Sequence, residues 1–200
     1  MKRDVVVSCI LICLLASGTV LLSGCTALNT GGTGSQSRVI PGQAIELLEP
    51  GPEDLRYLGV DGEPTVITLE DIAAPVLIIE AFDTYCPYCQ RAAPDLNRLY
   101  RLIEERNLAG TVKMLGIGLG NSRYEVKLFE SKQDVPFPIF PDQTSESGRE
   151  LGVEAVPVLI ILERDGEGYR IAFEEKPPIA SPETLLQRVL SRTGARSGEG

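Results

Sequence analysis

Two cysteines stand two residues apart in FDTYCPYCQRAAP, residues 82–94. Cys86 and Cys89 could exchange disulfides with another protein, supply part of a metal site, or form a structural bridge. A bridge between them would close a very small loop and stabilise the fold little. A structural zinc site takes about four ligands, of which one such pair supplies only two. The pattern therefore favours thiol–disulfide exchange.

Exchange requires a thiolate, because a thiol does not attack a disulfide. The unpaired N–H groups and the dipole at a helix N-terminus favour a thiolate placed there. We expect a helix to begin near Cys86, since Pro87 suits a first turn, where a missing N–H costs nothing. Cys89 then lies about one turn into the helix and is less exposed. We predict that Cys86 is the nucleophile and Cys89 the resolving thiol.

The chain has 200 residues, a net charge of −9 and no histidine. The acidic balance argues against nucleic-acid binding, which needs clustered Lys and Arg. The absence of histidine excludes Ser-His and Cys-His catalysis and His-ligated zinc or copper. Covalent haem attachment is excluded because Gln90, and not His, follows Cys89. We expect no metal and no cofactor other than a redox-active Cys86–Cys89 disulfide.

The N-terminus has the pattern of a targeting signal. Basic residues precede an apolar run, Val5–Leu22, which could be an uncleaved membrane anchor or part of a cleaved signal. The segment that follows, LSGC, resembles the bacterial lipobox, in which the cysteine is lipidated. We predict that residues 1–24 are a lipoprotein signal peptide and that Cys25 carries the lipid anchor. Thr26 rather than Asp follows, which implies the outer membrane, facing the periplasm, in a diderm host.

This interpretation accounts for all five cysteines. Cys9 and Cys13 leave with the signal peptide, and Cys25 is consumed by lipid. Five minus three leaves two, Cys86 and Cys89, in an extracytoplasmic protein whose surroundings allow disulfides to persist.

The rest of the chain divides by composition. Residues 25–37 are rich in Gly, Ser and Thr and predict a flexible tether, residues 38–193 a folded domain, and residues 194–200 a disordered tail. Asp61-Gly62 predicts an N-terminal hairpin between strands at 55–58 and 66–69.

Apolar runs and helix-start signals predict the remaining elements. We expect strands at 75–82, 112–119, 158–163 and 169–174, and helices from Cys86, from Asn121 or Ser122 through Phe129, at 145–152 and from Ser181. The prolines of FPIFPD, residues 137–142, are expected to end regular structure. The alternation predicts an α/β fold with a mixed sheet, whose last hairpin is antiparallel.

Several motifs resemble those of the thioredoxin superfamily. A buried strand runs directly into the CPYC motif, Glu80 stands six residues before Cys86, and Pro94 stands five after Cys89. GVEAVP, residues 152–157, resembles the loop that carries the superfamily's cis-proline. The resemblance covers residues 55–193. The anchor, the N-terminal hairpin and a central insertion near 120–145 are most similar to the TlpA-like extracytoplasmic branch.

The resemblance implies a thioredoxin-like three-layer sandwich, with a mixed central sheet flanked by helices. It implies that Pro157 is cis and packs beside the disulfide, and that the Val156 backbone pairs with a bound peptide. It also implies that Glu80, whose pKa we expect burial to raise, accepts the proton of Cys89. Further substrate contacts are assigned to three residues of the motif, Tyr85, Pro87 and Tyr88.

These features predict a monomeric, membrane-anchored thiol:disulfide oxidoreductase that reduces cysteine-containing extracytoplasmic proteins, with cytochrome c maturation among the processes implied. A membrane thiol partner would exchange electrons with it. CPYC, in place of the CGPC or CEPC usual in that branch, leaves a disulfide oxidant or isomerase open. A non-catalytic peptide-binding module is the alternative of another class. A peroxiredoxin is disfavoured, since Asp83 stands where that family has Thr or Ser, three residues before its reactive cysteine.

Overall fold

The structure is a computed structural model that describes residues 38–166 and 168–195. The predicted signal peptide, the lipidation site Cys25 and the tether lie outside the described residues. So does most of the predicted tail. Among the described residues, no helix has both the length and the apolar character needed to cross a membrane.

A six-stranded mixed sheet forms the centre of the domain. Its order is β1-β8-β7-β4-β5-β6, with β4, β5 and β6 parallel to one another and the other pairs antiparallel. The strands are β1 (Val39–Ile40), β4 (Val76–Phe82), β5 (Val112–Leu119), β6 (Ile139–Asp142), β7 (Val158–Asp165) and β8 (Gly168–Glu175). A second, two-stranded antiparallel sheet pairs β2 (Glu46–Leu48) with β3 (Val66–Thr68).

Helices cover both faces of the sheet. They are α1 (Pro52–Leu58), α2 (Pro87–Glu105), α3 (Arg123–Gln133), α4 (Glu146–Leu151) and α5 (Pro182–Thr193). Residues of α2, α3 and α5 pack in the apolar cluster on one face. Residues of α1, α4 and the small sheet pack in the cluster on the other face. The predicted three-layer α/β architecture is therefore confirmed.

The central strand β4 is buried along its whole length. Because side chains alternate across a strand, Ile78 and Phe82 pack on the α2 face and Ile79 and Ala81 on the opposite face. The same alternation assigns Glu80 to the α2 face. A lone carboxyl group is thereby placed in the apolar layer under the cysteine helix.

The strands predicted at 75–82, 112–119, 158–163 and 169–174 correspond to β4, β5, β7 and β8, and the predicted helices to α2, α3, α4 and α5. The prediction of a hairpin around Asp61-Gly62 is wrong. The residues predicted as its first strand, 55–58, lie instead in the helix α1. This helix has proline in its first turn, and Asp54 accepts the N–H of Gly51 at 2.8 Å. Gly59 ends the helix at φ 75°. The partner of β3 is β2, earlier in the chain.

The prediction for FPIFPD is also wrong, because residues 139–142 of this segment form the edge strand β6. Pro141 cannot donate a backbone hydrogen bond, but an edge strand tolerates proline. Phe140 and Ile139 are buried, which holds the segment against β5. The segment near 120–145, predicted as a central insertion, contains α3 and β6.

Candidate active site

The cysteine motif forms the start of α2. Cys86 is the N-cap residue, and its sulfur accepts a hydrogen bond from the backbone N–H of Cys89 at 3.4 Å. Pro87 occupies the first turn, as predicted. Cys86 is partly buried and Cys89 fully buried, and both are free thiols. The helix therefore presents one accessible sulfur and shields the other.

The proline loop lies against the accessible sulfur. The Val156–Pro157 peptide bond is cis, in agreement with the resemblance. Val158, the first residue of β7, pairs with Ala81 near the end of β4, so the loop and the motif meet at the same edge of the sheet. The carbonyl oxygen of Val156 lies 3.9 Å from Cys86 Sγ. The structure thus brings Val156, the residue before Pro157, to Cys86 across 70 residues of sequence.

Glu80 is only 2 % exposed, and burial raises its pKa from 4.5 to about 8. One of its oxygens, Oε1, has no hydrogen-bond partner within the described part of the chain. Burial also raises the pKa of the Cys89 thiol, and negative charge on Cys86 or Glu80 raises it further. Two buried acids, Glu80 and Cys89, are therefore electrostatically linked close to the partly buried Cys86, and the protonation of one depends on the charge of the other.

The other predicted contact residues lie on the exposed rim of the motif. Tyr85 is 70 % exposed, and its hydroxyl donates to Glu125 Oε1 at 2.6 Å, which raises the pKa of Tyr85. Tyr88 is 65 % exposed, with the Arg91 guanidinium 4.3 Å from its ring centroid. Pro87 is also exposed. Their contact with a substrate stays a prediction.

Sequence reasoning missed the residues that hold the loop before Cys86. Asn121, expected only as a helix cap, is buried and bonds to Asp83 and to the backbone of Thr84. The cap of α3 is Ser122. Glu125 completes that cap, and hydrogen bonds from Ser122 and Tyr85 lower its pKa to about 2. The Ser-x-x-Glu spacing could have identified the cap, but no local pattern indicates the Asn121 contacts.

Within residues 38–166 and 168–195, no three His, Cys, Asp or Glu side chains cluster as a metal site would require. The chemistry available at the site is that of the two thiols and the buried carboxyl group.

A family model described as "AhpC/TSA family" matches residues 53–167, more than half of the chain. The chain belongs to the AhpC/TSA family. The match runs from the first turn of α1 to just beyond β7, so it includes both cysteines and the proline loop.

The sequence is similar to curated proteins named thiol-disulfide oxidoreductase ResA. The ResA of Bacillus thuringiensis is 25 % identical over 122 residues, which is 61 % of this chain and 68 % of that protein. The ResA of Halalkalibacterium halodurans is 23 % identical over 125 residues, 62 % of this chain and 69 % of that protein.

Solved structures show the same fold. StoA from Bacillus subtilis superposes with a TM-score of 0.53 at 21 % identity, covering 74 % of this chain and 98 % of that one. A thiol:disulfide interchange protein of the thioredoxin family from Chlorobium tepidum gives a TM-score of 0.55 at 16 % identity, covering 80 % of this chain and 100 % of that one.

These findings confirm the predicted thioredoxin superfamily, its TlpA-like branch and the class of enzyme, a thiol:disulfide oxidoreductase. The two curated relatives given above carry the name thiol-disulfide oxidoreductase. The roles assigned to Glu80, Pro157 and the tyrosines are not tested by these comparisons and stay predictions.

Proposed function

We propose that this chain reduces disulfide bonds in cysteine-containing extracytoplasmic proteins while lipid on Cys25 holds it at a bacterial membrane, in the outer membrane if the host is diderm. The observation that supports the proposal is the asymmetry of the dithiol. Cys86 is accessible at the start of α2, whereas Cys89 is buried. One thiol can therefore meet a substrate while the other is kept for the second step.

In the first step the Cys86 thiolate attacks one sulfur of the substrate disulfide. A mixed disulfide forms between Cys86 and the substrate, and the other substrate sulfur leaves as a thiolate and takes a proton from water. The N–H of Cys89, which donates to Cys86 Sγ at 3.4 Å, stabilises the attacking charge.

In the second step Cys89 attacks Cys86 Sγ, the Cys86–Cys89 disulfide forms, and the second substrate sulfur is released. Two electrons have then passed to the substrate, which holds two thiols. The buried Cys89 must first lose a proton, and we assign its acceptance to Glu80. A base whose pKa is about 8 can both accept and return a proton near neutral pH.

The substrate polypeptide is bound through the loop before β7. Pro157 and the carbonyl group of Val156 lie beside Cys86, and an extended peptide next to the substrate cysteine would pair with the Val156 backbone. The exposed Tyr85, Pro87 and Tyr88 would add contacts around it.

A membrane thiol protein must then reduce the Cys86–Cys89 disulfide for the next cycle. No cofactor beyond this disulfide is required. We propose that the chain acts as a monomer, and that cytochrome c maturation is the first process to examine.

The reduction potential is the decisive measurement. The full chain, purified in detergent, is equilibrated with glutathione buffers, and its thiols are alkylated and separated by gel shift. A double variant, Cys86→Ser with Cys89→Ser, reports the background from any other thiol. A potential below about −250 mV supports a reductant.

A potential above about −180 mV would instead make the chain an oxidant or isomerase. If the two cysteines do not exchange at any glutathione ratio, the chain is neither a reductant nor an oxidant of disulfides. Binding of a peptide to the Cys86→Ser protein would then support the non-catalytic module.

A further inference from the structure

The loop that joins β4 to the cysteine helix is held by one buried amide. Asn121 is 3 % exposed, and its Oδ1 accepts the backbone N–H of Thr84 at 2.9 Å. Its Nδ2 donates to Asp83 Oδ1 at 3.1 Å. The two ends of one side chain therefore bind two of the three residues, 83–85, that lead from β4 into the motif.

The same loop fixes the backbone of the nucleophile. The carbonyl oxygen of Asp83 accepts the N–H of Cys86 at 3.0 Å, and Asp83 Oδ1 also accepts the N–H of Tyr85 at 3.0 Å. On the far side, the carbonyl oxygen of Thr84 accepts Gln90 Nε2 at 3.0 Å. The position of Cys86 thus depends on a turn that Asn121 ties to the end of β5.

The end of β5 leaves room for this amide. A Cβ added at Gly118 would stand 3.2 Å from Asn121 Oδ1 and 2.8 Å from a methyl group of Val126. Gly120 adopts φ 73°, a conformation that favours glycine, in the turn that carries the chain from β5 to Asn121. The glycines of this segment therefore allow Asn121 to approach the motif closely.

We propose that Asn121 is a positioning residue for thiol–disulfide exchange, holding residues 83–85 so that the sulfur of Cys86 faces the first N–H groups of α2 and the carbonyl group of Val156. The inference rests on the exchange activity proposed above. Its basis is the set of contacts to the loop, since Asn121 does not touch the sulfur atoms in this network.

A second buried asparagine separates positioning from mere stability. Asn97 is 5 % exposed, and its Nδ2 donates to the carbonyl groups of Gln133 and Asp134 at 2.9 and 3.1 Å. Like Asn121, it makes two hydrogen bonds through one side-chain amide. Unlike Asn121, it bonds to the end of α3 and not to the motif.

The test compares Asn121→Ala with Asn97→Ala in the full chain in detergent. The rate constant of the reduced protein with dithiobis(nitrobenzoate) is followed by colour release, with the Cys86→Ser/Cys89→Ser protein as background. We expect Asn121→Ala to react about tenfold more slowly, because small displacements of a reacting group cost large factors in rate. The rate constant of Asn97→Ala should stay within about threefold of the wild type, although we expect urea unfolding to show that both variants are destabilised.

The pair of Asn121 and Asp83 provides a second comparison. Asn121→Asp loses the donor to Asp83 and sets two carboxylates against each other, so it should slow exchange about tenfold. Asp83→Asn keeps an oxygen that can accept both Asn121 Nδ2 and the N–H of Tyr85, so it should stay within about threefold of the wild type.

The outcomes are distinct. If the wild type does not exchange, the proposed function fails and the role of Asn121 fails with it. If the wild type exchanges and Asn121→Ala equals it, only the positioning role is overturned. Equal slowing by Asn97→Ala also overturns it, because loss of stability would then explain the rate. Wild-type exchange in Asn121→Asp overturns it as well, because the donor to Asp83 would then have no effect on the reaction.

Discussion

Two helices of this domain begin in the same way, yet only one of them carries reactive chemistry. In α2 the cap atom is Cys86 Sγ, which accepts the N–H of Cys89 at 3.4 Å. In α5 it is Ser181 Oγ, which accepts the N–H of Thr184 at 3.1 Å. Both helices have proline in the first turn. The backbone scaffold of the active site is thus an ordinary helix start.

The difference lies in what surrounds the two caps. The first turn of α5 contains Glu183, which offsets the positive end of its dipole, whereas the first turn of α2 contains no acid. The third residue of α2 is the buried Cys89, linked electrostatically to Glu80, while Thr184 of α5 is exposed. In this domain, the helix start that carries the two cysteines is thus the one with no acid in its first turn and with a buried acid linked to its third residue.

The largest effect is expected from Cys86→Ser, which gives α2 the same cap atom as α5. Exchange with a disulfide should fall by more than about a thousandfold, because a hydroxyl group cannot form the mixed disulfide. The free energy of unfolding should change by less than about 1 kcal/mol, since serine is a favoured cap. Stopped-flow exchange kinetics and urea unfolding measure the two quantities. Residual exchange by the Cys86→Ser protein would point to Cys89 as the nucleophile.

Replacing the third residue of the helix tests the second step. Cys89→Ser should keep the attack by Cys86 on a substrate disulfide and lose the second step, so a stable mixed disulfide with a disulfide-containing peptide should accumulate, with one peptide sulfur released as a thiol. Intact-mass measurement under non-reducing conditions detects it, and reductant should release it. Accumulation on Cys89 in the Cys86→Ser protein instead would reverse the assigned roles.

Glu80→Gln removes the buried acid near the start of α2, which has no counterpart at α5. It should slow the second step, the attack of Cys89 on the mixed disulfide, by about a hundredfold, a usual loss for a general base. The first step should be nearly unchanged, because Glu80 acts on Cys89 and not on the substrate. Single-turnover kinetics separates the steps. Glu174→Gln, the same substitution at an exposed position of β8, is the matched control and should alter neither.

The same variant predicts a change in pH dependence. Burial raises the pKa of Glu80 from 4.5 to about 8, so the folded protein holds this proton more tightly than the unfolded chain does. The resulting stability is complete below about pH 4.5 and is lost as the pH rises through about 8, with a total of as much as about 5 kcal/mol. Urea unfolding of the reduced protein at pH 5 and pH 8 should show a smaller decline in Glu80→Gln than in the wild type. An equal decline would mean that Glu80 titrates normally.

The fold was largely predictable because its signals are local. The continuous apolar runs gave β4 and β5, and Ser181-Pro182 gave the start of α5. The hairpin failed where two local signals competed. Asp61-Gly62 is typical of a hairpin turn, but Pro52 and Asp54 of the preceding segment start a helix. The few apolar residues of that segment fit the helical period and the strand period equally well.

The site residues likewise divide into those that a local motif predicts and those that it does not. Cys86, Glu80 and Pro157 stand in short motifs that can be recognised without the structure. Asn121 contacts Thr84 across 37 residues of sequence, and its pairing depends on how β5 lies beside β4. A single sequence carries no periodicity or spacing that reports such a contact, so only the structure identifies it.

The smallest effect is expected at the other helix start. Ser181→Ala removes the hydroxyl group that caps α5, which should lower the free energy of unfolding by about 1 kcal/mol. Exchange rates should not change, because this cap lies at the start of α5 and its hydrogen bonds are to Thr184. Urea unfolding and the colour-release assay measure both in one preparation. A loss of exchange in Ser181→Ala would show that the chemistry at α2 depends on the packing of α5 against it, and that the two helix starts are not independent.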